Sequence, residues 1–211
     1  MRLRKVKNIE EKIKQFADII IFEPQLQKGK WRKVFANDNP IHLEIGTGKG
    51  NFIVANAIKD PNINFIGCEV SRSIIYKAAL KAQNIANLRL INIDASFLQD
   101  VFEEEEISHL YLNFSDPWPK ARHEKRRLTS PKFLDIYQNL LKKQGIIELK
   151  SDDQHFFEYS LVKFHERNWD FLELNLDLHK EQTAEIITTE YEEKFKEIGK
   201  TIYYIKVRIK E

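Results

Sequence analysis

The run Glu44-Ile45-Gly46-Thr47-Gly48-Lys49-Gly50 follows a β-rich apolar stretch and precedes a helical one, and no other segment restricts the fold of this 211-residue chain as much. Glycines at a strand-to-helix turn let the backbone approach a ligand closely and aim the helix N-terminal N–H groups at it. A nucleotide-type ligand is implied. A dinucleotide fingerprint, G-x-G-x-x-G, needs its third glycine where the chain has Asn51, with Gly50 one residue early. A phosphate-binding loop needs Ser or Thr after its lysine, whereas Lys49 is followed by Gly50. Neither pattern fits well.

Around this turn the chain alternates short β-rich runs with helical ones. Residues Ile41 to Ile45, Ile63 to Val70, Leu88 to Ile93, Ile107 to Phe114 and Ile146 to Lys150 read as strands. Between them, Gly50 to Ile58, Ser71 to Asn84 and Ser130 to Leu141 read as helices, the last opening with a Ser cap and Pro131 in its first turn. Such alternation implies an α/β fold with a parallel sheet covered on both faces. Phe171 to Leu178 and Thr201 to Ile209 break the rhythm and suggest a closing antiparallel hairpin with no clear helix between its strands. Upstream, Ile9, Ile13, Phe16 and Ile20 have helical spacing, so residues 1–33 read as a basic helical extension of a domain over 34–211.

Charge is unevenly placed. The formal net charge is only +2, yet residues 1–33 carry +6, residues 118–132 carry +5, and the remaining body carries −9. Two basic segments on an acidic body make an electrostatic footprint for a polyanion, with a solvated face as the alternative. The lone Cys68 excludes an internal disulfide framework and fits a reducing compartment. No apolar run is long enough to span a bilayer and no signal-peptide core is present, so a cytoplasmic protein is expected. The six histidines show no close ligand spacing, and no metal is expected.

Carboxylates recur at the strand ends. Glu44 ends the first strand, Glu69 the second and Asp94 the third, at the edge where open α/β sheets bind ligands. Glu69 is placed to accept hydrogen bonds from both hydroxyls of a ribose, and Asp94 from an adenine amine. Their plainer reading is as acids near helix starts. An acid ending the first strand, followed by G-x-G-x-G, resembles motif I of the class I S-adenosylmethionine-dependent methyltransferases. That cofactor carries a sulfonium and no phosphate, so its pocket needs acceptors rather than a phosphate clamp.

The fourth strand leads into Asp116-Pro117-Trp118-Pro119-Lys120, then Arg122-His123-Glu124-Lys125-Arg126-Arg127. Two prolines stiffen the turn that aims Asp116 and Trp118, and adjacent cations suit a nucleic-acid backbone. Following the glycine loop, this motif resembles the bacterial tRNA (guanine-N7)-methyltransferases, the TrmB family. Lys150-Ser151-Asp152 and Thr189-Glu190-Tyr191-Glu192 extend the resemblance along essentially the whole chain. It implies a Rossmann-like class I methyltransferase fold, a mostly parallel seven-stranded sheet with a C-terminal antiparallel strand and helices on both faces. It implies methyl transfer from S-adenosyl-L-methionine to N7 of the variable-loop guanine, conventionally position 46 of tRNA.

Residue by residue, the resemblance implies that Glu44, Gly46, Gly48, Gly50, Glu69, Asp94 and Asp116 form the cofactor site, with Asp116 at the catalytic centre. Lys120, Asp152, Thr189, Glu190, Tyr191 and Glu192 would contact the substrate, and Arg122, His123, Glu124, Lys125, Arg126 and Arg127 would touch tRNA. Other readings of the same residues stand beside these: Asp152 as a helix cap, Thr189 to Glu192 as a polar loop, Trp118 as core. Alternative activities are a class I methyltransferase acting on another RNA base or a small molecule, and a non-catalytic RNA-binding protein of the same fold. A nicotinamide dehydrogenase fits least. The chain could act as a monomer or a homodimer.

Overall fold

A computed structural model describes residues 7–180 and 187–210. Residues 1–6 of the basic N-terminal segment lie outside the described residues. The described residues form one eight-stranded sheet in the order β1-β4-β3-β2-β5-β6-β8-β7. The five strands expected from alternation are β2 (Ile41–Ile45), β3 (Asn64–Cys68), β4 (Leu88–Ile91), β5 (Ile107–Asn113) and β6 (Leu141–Ser151), and they pair in parallel. β8 (Tyr203–Arg208) runs antiparallel between β6 and β7 (Asp170–Asn175). Strand order reverses between β2 and β5, and the crevice outside the carboxyl ends at such a reversal is where open α/β sheets bind ligands.

Two findings depart from the sequence expectation. The sheet has eight strands rather than seven, because Ile20–Ile21 forms a short edge strand, β1, parallel to β4. Helical spacing over Ile9 to Ile20 therefore overstated the helix, which is only α1 (Ile9–Lys14). Ile19, Ile20 and Ile21 are consecutive β-branched residues and pack better on an extended edge. The second departure is α8 (Glu190–Glu197), a helix between the two antiparallel strands. Its start is a capping box: Thr189 Oγ1 accepts the Glu192 N–H, and the Glu192 carboxylate accepts the Thr189 N–H. Thr189-x-x-Glu192 carries that signal in the sequence, although the helix has too little apolar stripe to be read from periodicity.

Apolar residues fill both faces of the sheet. One face holds Leu43, Ile66, Leu112 and Leu149 against α6 (Pro131–Leu140) and α7 (Gln154–Glu166). The other holds Phe65 and Leu88 against α3 (Asn51–Lys59), α4 (Arg72–Lys81) and α1. The described part of the basic N-terminal segment shares these cores. Phe16 meets Tyr76 edge-on at 5.7 Å, and Trp31, at the start of α2 (Trp31–Phe35), is fully buried against Phe102 at 5.3 Å. Trp31 Nε1 also donates to the Val101 carbonyl at 3.1 Å. No described helix is long and apolar enough to cross a membrane.

Removing the Trp31 ring creates a large void and leaves the Val101 carbonyl unpartnered. Trp31→Ala is expected to lower the unfolding free energy by about 3–5 kcal/mol in urea titration. A loss under about 1 kcal/mol would show that this segment lies outside the cooperative core.

Candidate active site

The glycine loop is built around a buried acid. Glu44 is 2% exposed at the tip of β2, and its carboxylate accepts Thr47 Oγ1 at 2.5 Å and Asn113 Nδ2 at 2.9 Å. Burial pushes the Glu44 carboxyl up to about 7, against the two hydrogen bonds, which pull it down. Gly46, Gly48 and Gly50 all adopt positive φ, of 78°, 58° and 85°. At Gly50 a side chain would also strike Ala78 of α4, whose Cβ lies 2.9 Å from where a Cβ would stand. At Gly46 the equivalent position has nothing within 4 Å. The first glycine opens a space and the third closes the helix onto its neighbour.

Glu69 and Asp94 stand at the ends of the neighbouring strands. Glu69 is 8% exposed and accepts the Gly48 N–H at 3.2 Å and the Ser71 N–H at 2.8 Å. Desolvation raises its pKa, while the two N–H groups act in the opposite sense. Asp94 is exposed and accepts the Ser96 N–H and Oγ. Beyond β5, Phe114 and Trp118 adopt positive φ of 51° and 42° on either side of Asp116. Left-handed backbone at bulky residues is strained by about 1–3 kcal/mol each, and such strain concentrates where a turn must aim a functional group.

These elements enclose a cleft of about 610 Å³ whose lining includes Gly46, Gly48, Glu69, Asp94, Asp116 and Trp118. A smaller hollow of about 90 Å³ adjoins it, sharing Phe114, Asn113 and Tyr191 and lined also by Glu44, Thr189 and Glu190. Ser115 Oγ is buried in the cleft wall with no hydrogen-bond partner among the described residues. An open space at Gly46, an unpartnered hydroxyl and acceptor carboxylates on adjacent strand tips fit a nucleoside bearing a cationic sulfur. They do not fit a polyphosphate.

The remaining sequence candidates divide. Tyr191, 59% exposed, borders both hollows, and Glu190 lies in the smaller one while pairing with Lys81 at 2.8 Å. Glu192 has no exposed surface and turns inward onto Lys150. Asp152 pairs with Lys200 and does not line the cleft; the cap of α7 is Asp153, which accepts the Phe156 N–H at 2.8 Å. Lys120 is exposed at the head of the 3-10 turn Ala121–Arg126, outside the lining. Within that turn Arg122, Lys125 and Arg126 are exposed. His123 meets the Trp118 ring edge-on, and Arg126 lies over that ring at 4.8 Å, so Trp118 sits at the cleft mouth and not in the core. Glu124 and Arg127 are internal supports. Tyr159 donates to Glu124 at 2.9 Å, while Arg127 donates to the Pro117 and Trp118 carbonyls and stacks on Tyr159 at 4.4 Å.

Sequence reasoning missed Thr47 and Asn113, which hold Glu44. The available signal was a polar Asn directly after the apolar run Leu110-Tyr111-Leu112.

Residues 38–205 match a family model described as "Putative methyltransferase". The chain is 46% identical over its full length to the whole tRNA (guanine-N(7)-)-methyltransferase of Streptococcus thermophilus strain CNRZ 1066. It is 48% identical, over 99% of its length and 100% of the relative's, to the enzyme of the same name from Alkaliphilus oremlandii. Among solved structures, a 16S rRNA methyltransferase, KamB, matches with a TM-score of 0.65 at 12% identity, covering 87% of this chain and 94% of that one. At that identity the likeness is one of fold.

The Glu44 carboxyl has a pKa of about 7 when folded, against 4.5 ordinarily, so the folded state holds the proton more tightly. Its contribution to stability is therefore complete below about pH 4.5 and lost as pH rises towards about 7. Relative to Glu44→Gln, the native protein is expected to lose stability across that window in urea titrations and to level off above it. A constant difference across the window would contradict the burial argument.

Proposed function

The chain belongs to the tRNA (guanine-N7)-methyltransferase family, and from that premise we propose that its cleft methylates N7 of the variable-loop guanine of tRNA in the cytoplasm. The observation that carries this reading is the convergence of Glu69, Asp94 and Asp116 on one cleft beside an exposed cationic turn. A single chain supplies every group named. S-adenosylmethionine, when bound, supplies a methyl group on a positively charged sulfur. Glu69 would hold the ribose hydroxyls and Asp94 the adenine amine, with Gly46 and Gly48 giving the backbone approach.

Guanine N7 carries an in-plane lone pair, so this chain needs no general base. Its task is to place the base and match the charge that appears on it. Asp116, held between two left-handed residues, would face the imidazole edge as the ring becomes cationic. Tyr191 borders the same cleft and Glu190 the adjoining hollow, and the two would hold the rest of the base. Lys120 and Asp152 stand outside the cleft lining, so as substrate ligands they would contact nucleotides flanking the target. A stacked base hides N7, and Trp118 at the mouth offers a surface for an unstacked one. Arg122, Lys125 and Arg126 would bind phosphates, while His123, Glu124 and Arg127 would shape the turn that presents them.

Label from radioactive S-adenosylmethionine is expected in guanine N7 of an unmodified tRNA transcript and absent when the variable-loop guanine is replaced. Label that persists after the replacement would move the acceptor elsewhere. Asp116→Ala is expected to lower kcat by about 10²-fold at saturating cofactor. Turnover near that of the native enzyme would remove Asp116 from the reaction. Replacing Arg122 and Arg126 by Ala is expected to weaken tRNA binding and flatten its salt dependence without changing cofactor affinity. An unchanged salt slope would take the turn out of the tRNA footprint.

A further inference from the structure

Lys150 and Glu192 form a buried pair that the proposed chemistry leaves unused. Lys150 is 5% exposed near the end of β6, opposite Asn113 of β5. Its ammonium donates to both Glu192 carboxylate oxygens, at 3.1 and 3.0 Å, and to the Ile187 carbonyl at 3.3 Å. Glu192 in turn meets His179 Nε2 at 3.1 Å and accepts the Thr189 N–H at 3.3 Å. A carboxylate with no exposed surface and partners on every side does not reach into the cleft. Its neighbours on α8 do face open space: Tyr191 borders the cleft and the smaller hollow, and Glu190 lines the hollow.

We propose that Lys150 and Glu192 are positioning residues: their buried ion pair pins the start of α8 to the tip of β6 and so seats Tyr191 at the cleft and Glu190 in the hollow that adjoins it. The link is short, two contacts of 3.0 and 3.1 Å. Asn113, opposite Lys150 in the sheet, holds Glu44 of the glycine loop, so the pin joins the substrate wall to the strand tips that carry the cofactor side. Further along the same helix, Phe195 packs with Phe114 at 5.8 Å against Leu178, Ile202 and Tyr204, so the ion pair is the contact at the helix start. Breaking a buried pair by removing one partner leaves an uncompensated charge, whereas replacing both by apolar groups is often tolerated. The two substitutions therefore couple. If Glu192 instead touched the base directly, its loss would not depend on residue 150.

The inference rests on the cleft being the tRNA-guanine site, which methyl transfer by the native enzyme tests separately. Lys150→Met, Glu192→Met and the double variant are compared with the native full chain in tRNA kinetics, cofactor calorimetry and amide exchange. Each single variant is expected to lower kcat/KM for tRNA about tenfold or more. The cofactor dissociation constant should stay within about twofold, and amides of residues 190–197 should exchange faster while those of β2 and β5 do not. The double variant should be no worse than the poorer single one. Multiplied losses, or Lys150→Met with native kcat/KM for tRNA, would overturn the proposal. Should the methionine variants not fold, Glu192→Gln is measured by exchange alone: faster exchange confined to α8 supports the pin, and unchanged exchange refutes it. Because exchange needs no turnover, the pin can fail while methyl transfer stands, and the reverse.

Discussion

A carboxylate buried at the tip of a strand is the constraint on which the rest of this molecule depends. Taking Glu44 out of water is unfavourable unless its oxygens are satisfied, and Thr47 and Asn113 satisfy them. Both partners are fixed by chain direction: Thr47 requires the chain to reverse immediately after β2, and Asn113 requires β5 to end level with it. That reversal uses three left-handed glycines. The hydrogen bond from Gly48 to Glu69 then ties the reversal to the end of β3, so two adjacent strand tips are joined through the loop. The shape of the glycine loop is thus set by backbone and buried hydrogen bonds.

Charge is arranged in two zones. Acceptors line the interior of the cleft, where a cationic sulfur and a cationic product ring would each be favoured, and exposed cations stand on the adjacent turn. Arg127 belongs to neither zone. Its guanidinium ties together the Pro117 and Trp118 carbonyls and the Tyr159 ring, and so holds the strained turn in shape. In a run of six residues rich in basic side chains, Arg127 supports the loop while Arg122, Lys125 and Arg126 are exposed.

Much of this was legible in the sequence. The alternation of β-rich and helical runs placed β2 to β6 correctly, and the acids at strand ends do gather at one edge. The pattern works because parallel strands buried on both faces read as apolar runs, and a turn that needs positive φ must show glycine. What stayed hidden depends on pairing between distant residues. Glu192 reads as a polar loop acid until Lys150, 42 residues away, is placed beside it. Asp152 reads as a helix cap until Lys200 reaches it and Asp153 takes the cap. The two-residue strand β1 is too short to show a period of its own, and α8 is announced by its cap alone.

The central claim is that three strand-tip acids and the glycine loop form the cofactor site. A crystal structure of the chain with S-adenosylhomocysteine tests it most directly. The ribose hydroxyls are expected on Glu69, the adenine amine on Asp94 and the sulfur in the part of the cleft lined by Gly46 and Asp116. A nucleoside bound elsewhere, or bound in this cleft with its ribose away from Glu69, would contradict it.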